Sequence, residues 1–301
     1  MTRLWVARRD IADAVADLPG AEIEVWDAGA VPSSVAEVEF YVPALLPSPA
    51  SLEVMALMPR LRVVQLQTAG FDHVLPHLPD GVTLCNARGA HDAGTAEWVV
   101  GAIIASQWDF PGFAAAQREG RWDYRHPGVL TDSRVLIVGY GSIGQAVERR
   151  LTPFEVEITR VASRPRQGVH GPDDLPELVA RADVVVVLVP AGPRTRGLFD
   201  AGLLARMPDG ALLVNAARGA VVDTDALVAE TLAGRLRAAL DVTDPEPLPP
   251  GHPLWRAPGV FLTPHVGGST AASARRVARL VRAQARRHLA GEPLANVISG
   301  R

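Results

Sequence analysis

The sequence predicts an α/β protein built on parallel sheets, with enough chain for two domains. Three observations carry that expectation. Segments that read as strands and as helices alternate throughout the chain, the pattern of parallel α/β sheets. An apolar run from Val135 to Val138 ends in Gly139-x-Gly141-x-x-Gly144 and is followed by a helical pattern. The 301 residues are 48% hydrophobic and 21% charged, a globular rather than disordered composition with enough chain for a substantial core.

Taken in order, strands are expected at Leu4–Ala7, Glu22–Trp26, Phe40–Val42, Val63–Gln67 and Val82–Cys85, with helices at Ile11–Leu18 and Leu52–Met58. A long helix from about Thr95 to Gln107 and a second after Pro111 lead to the glycine loop, and Gln145–Leu151 reads as the helix behind it. The second half repeats the alternation. Strands are expected at Ile158–Ala162, Val184–Val189, Leu212–Ala216, Ala238–Val242 and Val260–Leu262, and helices at Leu175–Ala180, Leu203–Met207 and Asp225–Ala233. The proline-rich stretch from Asp244 to Pro253 must be a loop. Ser269 or Thr270 caps a final helix that runs to about Leu289. Its six arginines, from Arg275 to Arg287, read as a solvated face, with Val277, Leu280, Val281 and Leu289 turned inward.

Composition removes several function classes. A net charge of −3 gives no overall attraction to nucleic acid. Cys85 is the single cysteine, which excludes an internal disulfide framework, and no cluster has metal-ligand spacing, so no metal is expected. All 30 basic residues are arginine, so neither a side-chain Schiff base nor a lysine-bearing phosphate loop is available. The first residues lack the apolar core of a signal peptide, and the run Asp183–Val189 is far short of the roughly 20 residues that span a bilayer. No membrane association is expected, and a cytoplasmic location is.

The glycine loop carries the first chemistry. Gly139 permits a tight strand-to-helix turn, Gly141 lets the backbone approach a pyrophosphate, and Gly144 brings helix and strand together. The first helical N–H groups and the positive helix end then face the phosphates. Three further segments place polar residues at strand ends, where crevice ligands bind in open α/β sheets. Arg218 follows Leu212–Ala217 in NAARG, Asp241 closes another strand with Glu246 in the loop behind it, and His265 follows Val260–Thr263. These groups suit reduction of a carbonyl beside a carboxylate. A guanidinium can hold the carboxylate in two parallel bonds. An imidazole titrates near neutral pH and can protonate the carbonyl oxygen, while a neighbouring carboxylate orients the ring.

In order and spacing, GYGSIG, NAARGAVVD, ALDVTDPEPLP and TPHVGGST resemble the D-isomer-specific 2-hydroxyacid dehydrogenase family. LQTAGFDHV and NARGAHDAGTAEWVVGAIIA are similar to that family's first-domain segments. The resemblance implies two Rossmann-like, flavodoxin-like domains with the active site in a cleft between them. The substrate domain would comprise residues 1–97 and 272–301, and the dinucleotide domain residues 98–271. It implies Arg218 as substrate ligand, His265 as acid/base and Glu246 as its partner. The backbone at Ala69 and Gly70 would receive the substrate carboxylate, and Asp241 would meet the nicotinamide carboxamide. His265 would also touch the substrate, and the coenzyme contacts it implies besides Asp241 are Gly139, Tyr140, Gly141, Ser142, Ile143, Gly144, Ser163, Arg164, Val189, Pro190, Thr195, Ala216, Ala217, Arg218, His265 and Gly267. It further implies a homodimer built on the cofactor domains, and Trp122 is expected at that interface.

The coenzyme and substrate are narrowed by local chemistry. NAD-binding folds place an acidic residue at the tip of the second strand, whereas here Ala162, Ser163 and Arg164 stand there with Arg166 close by. That tip accommodates a 2′-phosphate, so NADP(H) is expected ahead of NAD(H), and VASRPR resembles the NADPH-using glyoxylate/hydroxypyruvate reductases of the family. Glu155 and Glu157 read as solvent-facing, although Glu155 stands where the family commonly has glycine. The stretch VPALLP, residues 42–47, is apolar where a phosphate-bearing substrate would want basic groups, and Leu45 and Leu46 could meet an apolar tail. His73, His91 and Trp255 read as structural, and Cys85 as the end of a buried strand. The expected reaction is reduction of a small 2-oxo acid, glyoxylate or hydroxypyruvate in kind, to the D-2-hydroxy acid. The motifs leave open an NAD-linked dehydrogenase of a substrate such as 3-phosphoglycerate, formate or phosphite oxidation, and a non-catalytic nicotinamide-sensing protein.

Overall fold

The computed structural model describes residues 1–298. The chain forms two compact units, one of Met1–His91 with the chain from Thr270 onward, the other of Asp92–Ser269. The expected boundaries at 97/98 and 271/272 lie a few residues away, because the helix Asp92–Gln107 belongs whole to the second unit. Residues 299–301 of the expected first domain lie outside the described residues. No described helix is long and apolar enough to cross a membrane.

In the first unit, β1 (Thr2–Val6), α1 (Arg9–Val15), β2 (Ala21–Val25), β3 (Val38–Val42), α2 (Pro49–Glu53), β4 (Val63–Gln65) and β5 (Thr83–Cys85) follow one another. The strands form one parallel sheet in the order β2-β1-β3-β4-β5. Both faces of the central strands are covered, so neighbouring apolar residues along a strand divide between two layers, whereas the edge strand β2 carries Glu22 and Glu24. Leu4, Val6, Phe40 and Val42 pack on one side with Ile11 and Val15 of α1. Trp5, Val38 and Tyr41 pack on the other with Trp26 and Met55. The C-terminal helix Ala271–Leu289, capped by the Thr270 side chain, sends Val277, Val281 and Ala285 into the first of these layers. Its fully buried Gln284 donates to Gln65 Oε1 at 2.9 Å and to the Ala295 carbonyl at 2.7 Å, and accepts from the Ala295 N–H. Such a group is tolerated inside because its amide is paired on both sides.

The second unit runs through α3 (Asp92–Gln107), α4 (Phe110–Arg118), β6 (Arg134–Val138), α5 (Ser142–Leu151), β7 (Glu157–Val161), α6 (Leu175–Val179) and β8 (Val184–Val187). It continues through α7 (Ala201–Leu204), β9 (Leu212–Asn215), α8 (Thr224–Leu232), β10 (Arg237–Leu240) and β11 (Val260–Leu262). Its parallel sheet has the order β11-β10-β9-β8-β6-β7. Val135 and Ile137 face the layer of α3 and α5, while Leu136 and Val138 face the layer holding Leu203, Leu227 and Leu254. The chain reverses its direction of winding between β6 and β8, and the crevice outside such a switch point is where ligands of open α/β sheets bind. The glycine loop leaves β6 at that point.

Each expected strand and helix is present, with ends displaced by a few residues. The helix behind the glycine loop starts at Ser142 rather than Gln145, because Gly141 acts as its N-cap without any capping side chain. The helix expected at Leu52–Met58 starts at Pro49 under a Ser48 cap and finishes as a 3₁₀ turn, Val54–Leu57. Val189, Ala216 and Val242 lie beyond their strands, in the loops at the strand ends. Glu155 has φ 57°, a left-handed conformation that closes the turn Thr152–Phe154 and lets its carbonyl accept from Asp132 N–H at 3.0 Å. A glycine takes that conformation without the clash of a Cβ. This explains the departure noted in the sequence. Replacing Glu155 by Gly should therefore raise stability by about 0.5–1 kcal/mol, or about 1–3 °C in thermal unfolding; a lower melting temperature would contradict the strain assigned to this residue.

Candidate active site

The glycine loop is shaped by what lies behind it and open in front. Gly139 has φ 107°, and a Cβ there would stand 2.5 Å from the Leu188 carbonyl carbon, so no other residue lets β6 turn so close to the end of β8. A Cβ on Gly144 would meet the Gly139 oxygen at 2.9 Å, which confirms the close helix–strand contact expected of it. Around Gly141 nothing lies within 4 Å of a Cβ position. The α5 N-terminus behind it has no capping side chain, so its first N–H groups are left to an external acceptor. These features fit a dinucleotide pyrophosphate: close backbone packing behind, uncapped N–H groups and open space in front.

Tyr140 and Ser142 are each tied down. Ser142 Oγ donates to Asp92 at 3.3 Å at the start of α3. The Tyr140 hydroxyl donates to Glu148 on α5, and Glu148 also receives Arg160 of β7. The Arg160 guanidinium holds the Glu148 carboxyl below the usual carboxylate range, while burial, reinforced by that carboxylate, pushes the Tyr140 phenol up. This triad was not foreseen, since its members are separated by eight and twelve positions on different elements. At the tip of β7, Ala162, Ser163 and Arg164 lie outside the strand, and Ser163 and Arg164 are exposed. Arg166 reaches back to donate to the Tyr140 carbonyl at 3.1 Å and lies 5.5 Å from its ring centre. Glu155 and Glu157 are exposed, as expected. At the end of β8, the Thr195 hydroxyl donates to the Pro190 carbonyl at 2.6 Å, fixing the loop after Val189.

The three catalytic candidates sit on loops at the carboxyl ends of β9, β10 and β11. Asn215, the last residue of β9, is buried and clamps the turn that follows. Its amide donates to the Arg218 carbonyl and its oxygen accepts from Ala217 N–H, both at 3.0 Å. Arg218 Nη1 donates to the Ala217 carbonyl at 2.7 Å. A Cβ on Gly219 would stand 2.0 Å from the Thr243 carbonyl, so the Arg218 loop is pressed directly onto the segment leading to Glu246. The Thr224 hydroxyl fastens the same segment through the Asp244 carbonyl at 2.7 Å.

Asp241, 4% exposed, organises the third loop. Its Oδ1 accepts from the Thr263 hydroxyl at 2.6 Å and Val266 N–H at 2.8 Å, and its Oδ2 from Gly267 N–H at 2.8 Å. Its own carbonyl accepts from His265 N–H at 2.8 Å. A Cβ on Gly267 would come within 2.9 Å of Oδ2, so glycine is needed there. This anchorage holds His265 at φ 55°, a left-handed conformation that is costly for a residue with a Cβ. The ring that results meets Glu246 Oε1 through Nδ1 at 2.6 Å. Both side chains keep 40% of their surface exposed, so the pair adds little to stability, and what it fixes is the orientation of the ring.

The remaining candidates divide between the units. Ala69 and Gly70 follow β4 at the carboxyl end of the first unit's sheet; the Ala69 carbonyl accepts from Asn86 and the Gly70 carbonyl from the Thr68 hydroxyl, each at 2.7 Å. Leu46 is exposed at the end of β3 and is not part of the core. His91 is buried with Nε2 at 2.6 Å from the Gln67 carbonyl, a structural contact. Trp255 donates its indole N–H to Pro249. Cys85 ends β5, and burial pushes its thiol up to about 11, so it stays protonated and unreactive.

A doubly wound sheet with a glycine loop at its switch point, and a histidine–carboxylate pair at the neighbouring strand ends, defines a dinucleotide-binding oxidoreductase. Comparison with known proteins gives the family. The family model for the D-isomer specific 2-hydroxyacid dehydrogenase NAD-binding domain matches residues 100–267. A glyoxylate reductase of Thermofilum pendens is 35% identical over 251 residues, covering 78% of this chain and 74% of that one. The glyoxylate reductase/hydroxypyruvate reductase of Homo sapiens is 30% identical over 98% of this chain and 97% of its own length. A crystal structure of a D-isomer specific 2-hydroxyacid dehydrogenase from Xanthobacter autotrophicus, in complex with NADPH and MES, is similar with TM-score 0.85. It is 33% identical and covers 99% of this chain and 98% of that one. The chain belongs to the D-isomer-specific 2-hydroxyacid dehydrogenase family and is an enzyme of that class.

Proposed function

We propose that this enzyme reduces a small 2-oxo acid of the glyoxylate or hydroxypyruvate kind to the D-2-hydroxy acid, with NADPH preferred over NADH. The observation that carries this reading is the 2.6 Å contact between His265 Nδ1 and Glu246 Oε1, on a loop fixed by Asp241. The reduced nicotinamide, when bound, supplies a hydride. The guanidinium of Arg218 holds the substrate carboxylate and polarises the adjacent carbonyl. In the first unit, the backbone at Ala69 and Gly70 is our candidate for substrate binding. Glu246 accepts the Nδ1 hydrogen of His265, which leaves Nε2 to deliver a proton to the carbonyl oxygen as it becomes a hydroxyl. In the oxidative direction the same nitrogen takes the proton back. Asp241 keeps one lone-pair position beyond its three loop contacts, which suits the carboxamide contact expected of it.

Three features support NADPH. The β7 tip carries no carboxylate, Arg164 is exposed there, and Arg166 lies over the glycine loop. Glu148, the nearby acid, is engaged by Arg160 and Tyr140. The Xanthobacter relative, moreover, holds NADPH in its crystal. Leu46, exposed beside an apolar stretch, supports an uncharged substrate tail over a phosphorylated one. We also assign Trp122 and Tyr124, 95% and 79% exposed, to an interface between two copies of the chain, since aromatic side chains so uncovered are a mark of protein–protein contact.

Steady-state rates with glyoxylate, hydroxypyruvate, pyruvate and phenylpyruvate test the reaction: His265→Ala should lower kcat by about 10²–10⁴-fold with coenzyme binding kept, and unchanged turnover would remove His265 from its role. Replacing Arg164 and Arg166 together by Ala should raise the KM for NADPH by about tenfold or more and leave that for NADH nearly unaltered; equal effects would refute the coenzyme preference. In sedimentation, the wild type should run as a dimer and Trp122→Asp as a monomer. A monomeric wild type, or a dimeric variant, would count against the interface.

A further inference from the structure

The second unit contains a cavity of about 460 Å³ that the proposed reaction does not use. It opens at the amino ends of β10 and β11, the far side of the sheet from His265 and the glycine loop. Arg237, Val260 and Phe261 from those strands line it, together with Ser106 at the end of α3, Pro111 in α4 and Pro127 in the following loop.

Its charge balance is incomplete. Arg237 donates to the Gly210 carbonyl at 3.0 Å, the Ser106 carbonyl at 3.1 Å and Gln107 Oε1 at 2.7 Å. All three acceptors are neutral, and two of its five N–H donors are left over. Among the described residues no carboxylate lies within ion-pairing distance of it. Burial pushes its pKa down, with only the more distant Asp109 acting the other way. Asp109 is itself claimed by Arg125 at 2.6 Å, and Arg125 also lies 4.6 Å from the Phe113 ring centre. The carbonyl end of α3 contributes about half a negative charge, which offsets Arg237 in part only. At the same cavity the Ser106 hydroxyl is buried without a hydrogen-bond partner. A Cβ on Gly259 would stand 2.9 Å from Arg237 Cγ, so the arginine stem is packed tightly and its head is held in place.

A preset cation, an orphan hydroxyl and a wall of Val260, Phe261 and two prolines, in a lining where His126 also stands and the Asp109 carboxylate is already paired with Arg125, match one ligand chemistry. We propose that this cavity binds a small organic monocarboxylate, its head on Arg237 beside the Ser106 hydroxyl and its apolar body against Phe261 and Val260. The cavity shares two strands with the histidine loop. β10 runs from Arg237 to Leu240 and delivers Asp241; β11 runs from Val260 to Leu262 and delivers Thr263 and His265. Both strands that carry the histidine loop begin in this cavity, about 13 Å from its anchor at the rise of an extended chain. The inference does not depend on the assignment of substrate or coenzyme.

Calorimetric titration of the whole enzyme with phenylacetate tests it, with phenylacetamide as the uncharged counterpart and inorganic phosphate as an anion without an apolar body. Wild type should bind one phenylacetate per chain, at least about tenfold more tightly than either control, the difference expected for a hydrogen-bonded charge. Arg237→Gln and Pro127→Trp should each weaken binding by about tenfold or more, and Arg218→Gln should leave it unaltered. Pro127→Trp fills the cavity from an outer loop and decides the matter should Arg237→Gln, which also loosens the end of α3, fail to fold. Absence of saturable binding, equal binding of either control, insensitivity to Pro127→Trp, or loss of binding with Arg218→Gln would each overturn the proposal.

Discussion

One buried carboxylate holds the candidate active site together. Asp241 directly follows a strand whose position is fixed by the sheet, and it gathers Thr263, Val266 and Gly267 from a loop that follows a different strand. Without that anchor the left-handed backbone at His265 would relax toward an ordinary conformation and the ring would leave Glu246. A carboxylate in a nearly solvent-free position is costly unless its oxygens are filled, and here the hydrogen bonds that satisfy it are also those that shape the loop. The glycine at 267 belongs to the same arrangement, because a larger residue would push the loop off the carboxylate.

The neighbouring loops depend on similar close fits. Asn215 holds the Arg218 turn from inside, and Gly219 brings that turn against Thr243. Arg218, Glu246 and His265 are therefore not three independent side chains on mobile loops. Each loop is fastened to the next by backbone contact, as a site must be if a guanidinium and an imidazole are to meet one small substrate. The coenzyme loop follows the same rule through Gly139 and Gly144.

Much of this was legible in the sequence. Parallel strands buried on both faces leave unbroken apolar runs, and each of the expected strands is present. The glycine loop and the residues after β9, β10 and β11 were legible because ligands of such sheets collect at strand ends, which narrows the search to a few loops. What was not legible involves partners far apart in the chain. Nothing local marks Asp241 as the acceptor for Gly267, or Glu148 as shared between Tyr140 and Arg160. The start of α5 was missed because its N-cap is a glycine with no side chain to signal it, and that lack is what leaves the N–H groups open. The role of Glu155 became clear only from its backbone angle.

The first unit is built from both ends of the chain, with Val277, Val281 and Ala285 completing the layer begun by Leu4 and Val6, and Gln284 bonded to Gln65. On the ribosome this reverses the usual order of maturation. The sheet of the first unit emerges before the helix Ala271–Leu289 and must wait, one face covered only by α1, until that helix has been made, while the continuous second unit can reach its native core in the meantime. The nascent chain therefore carries an incompletely covered apolar sheet while the second unit is being made, the interval in which protection by a chaperone would matter most.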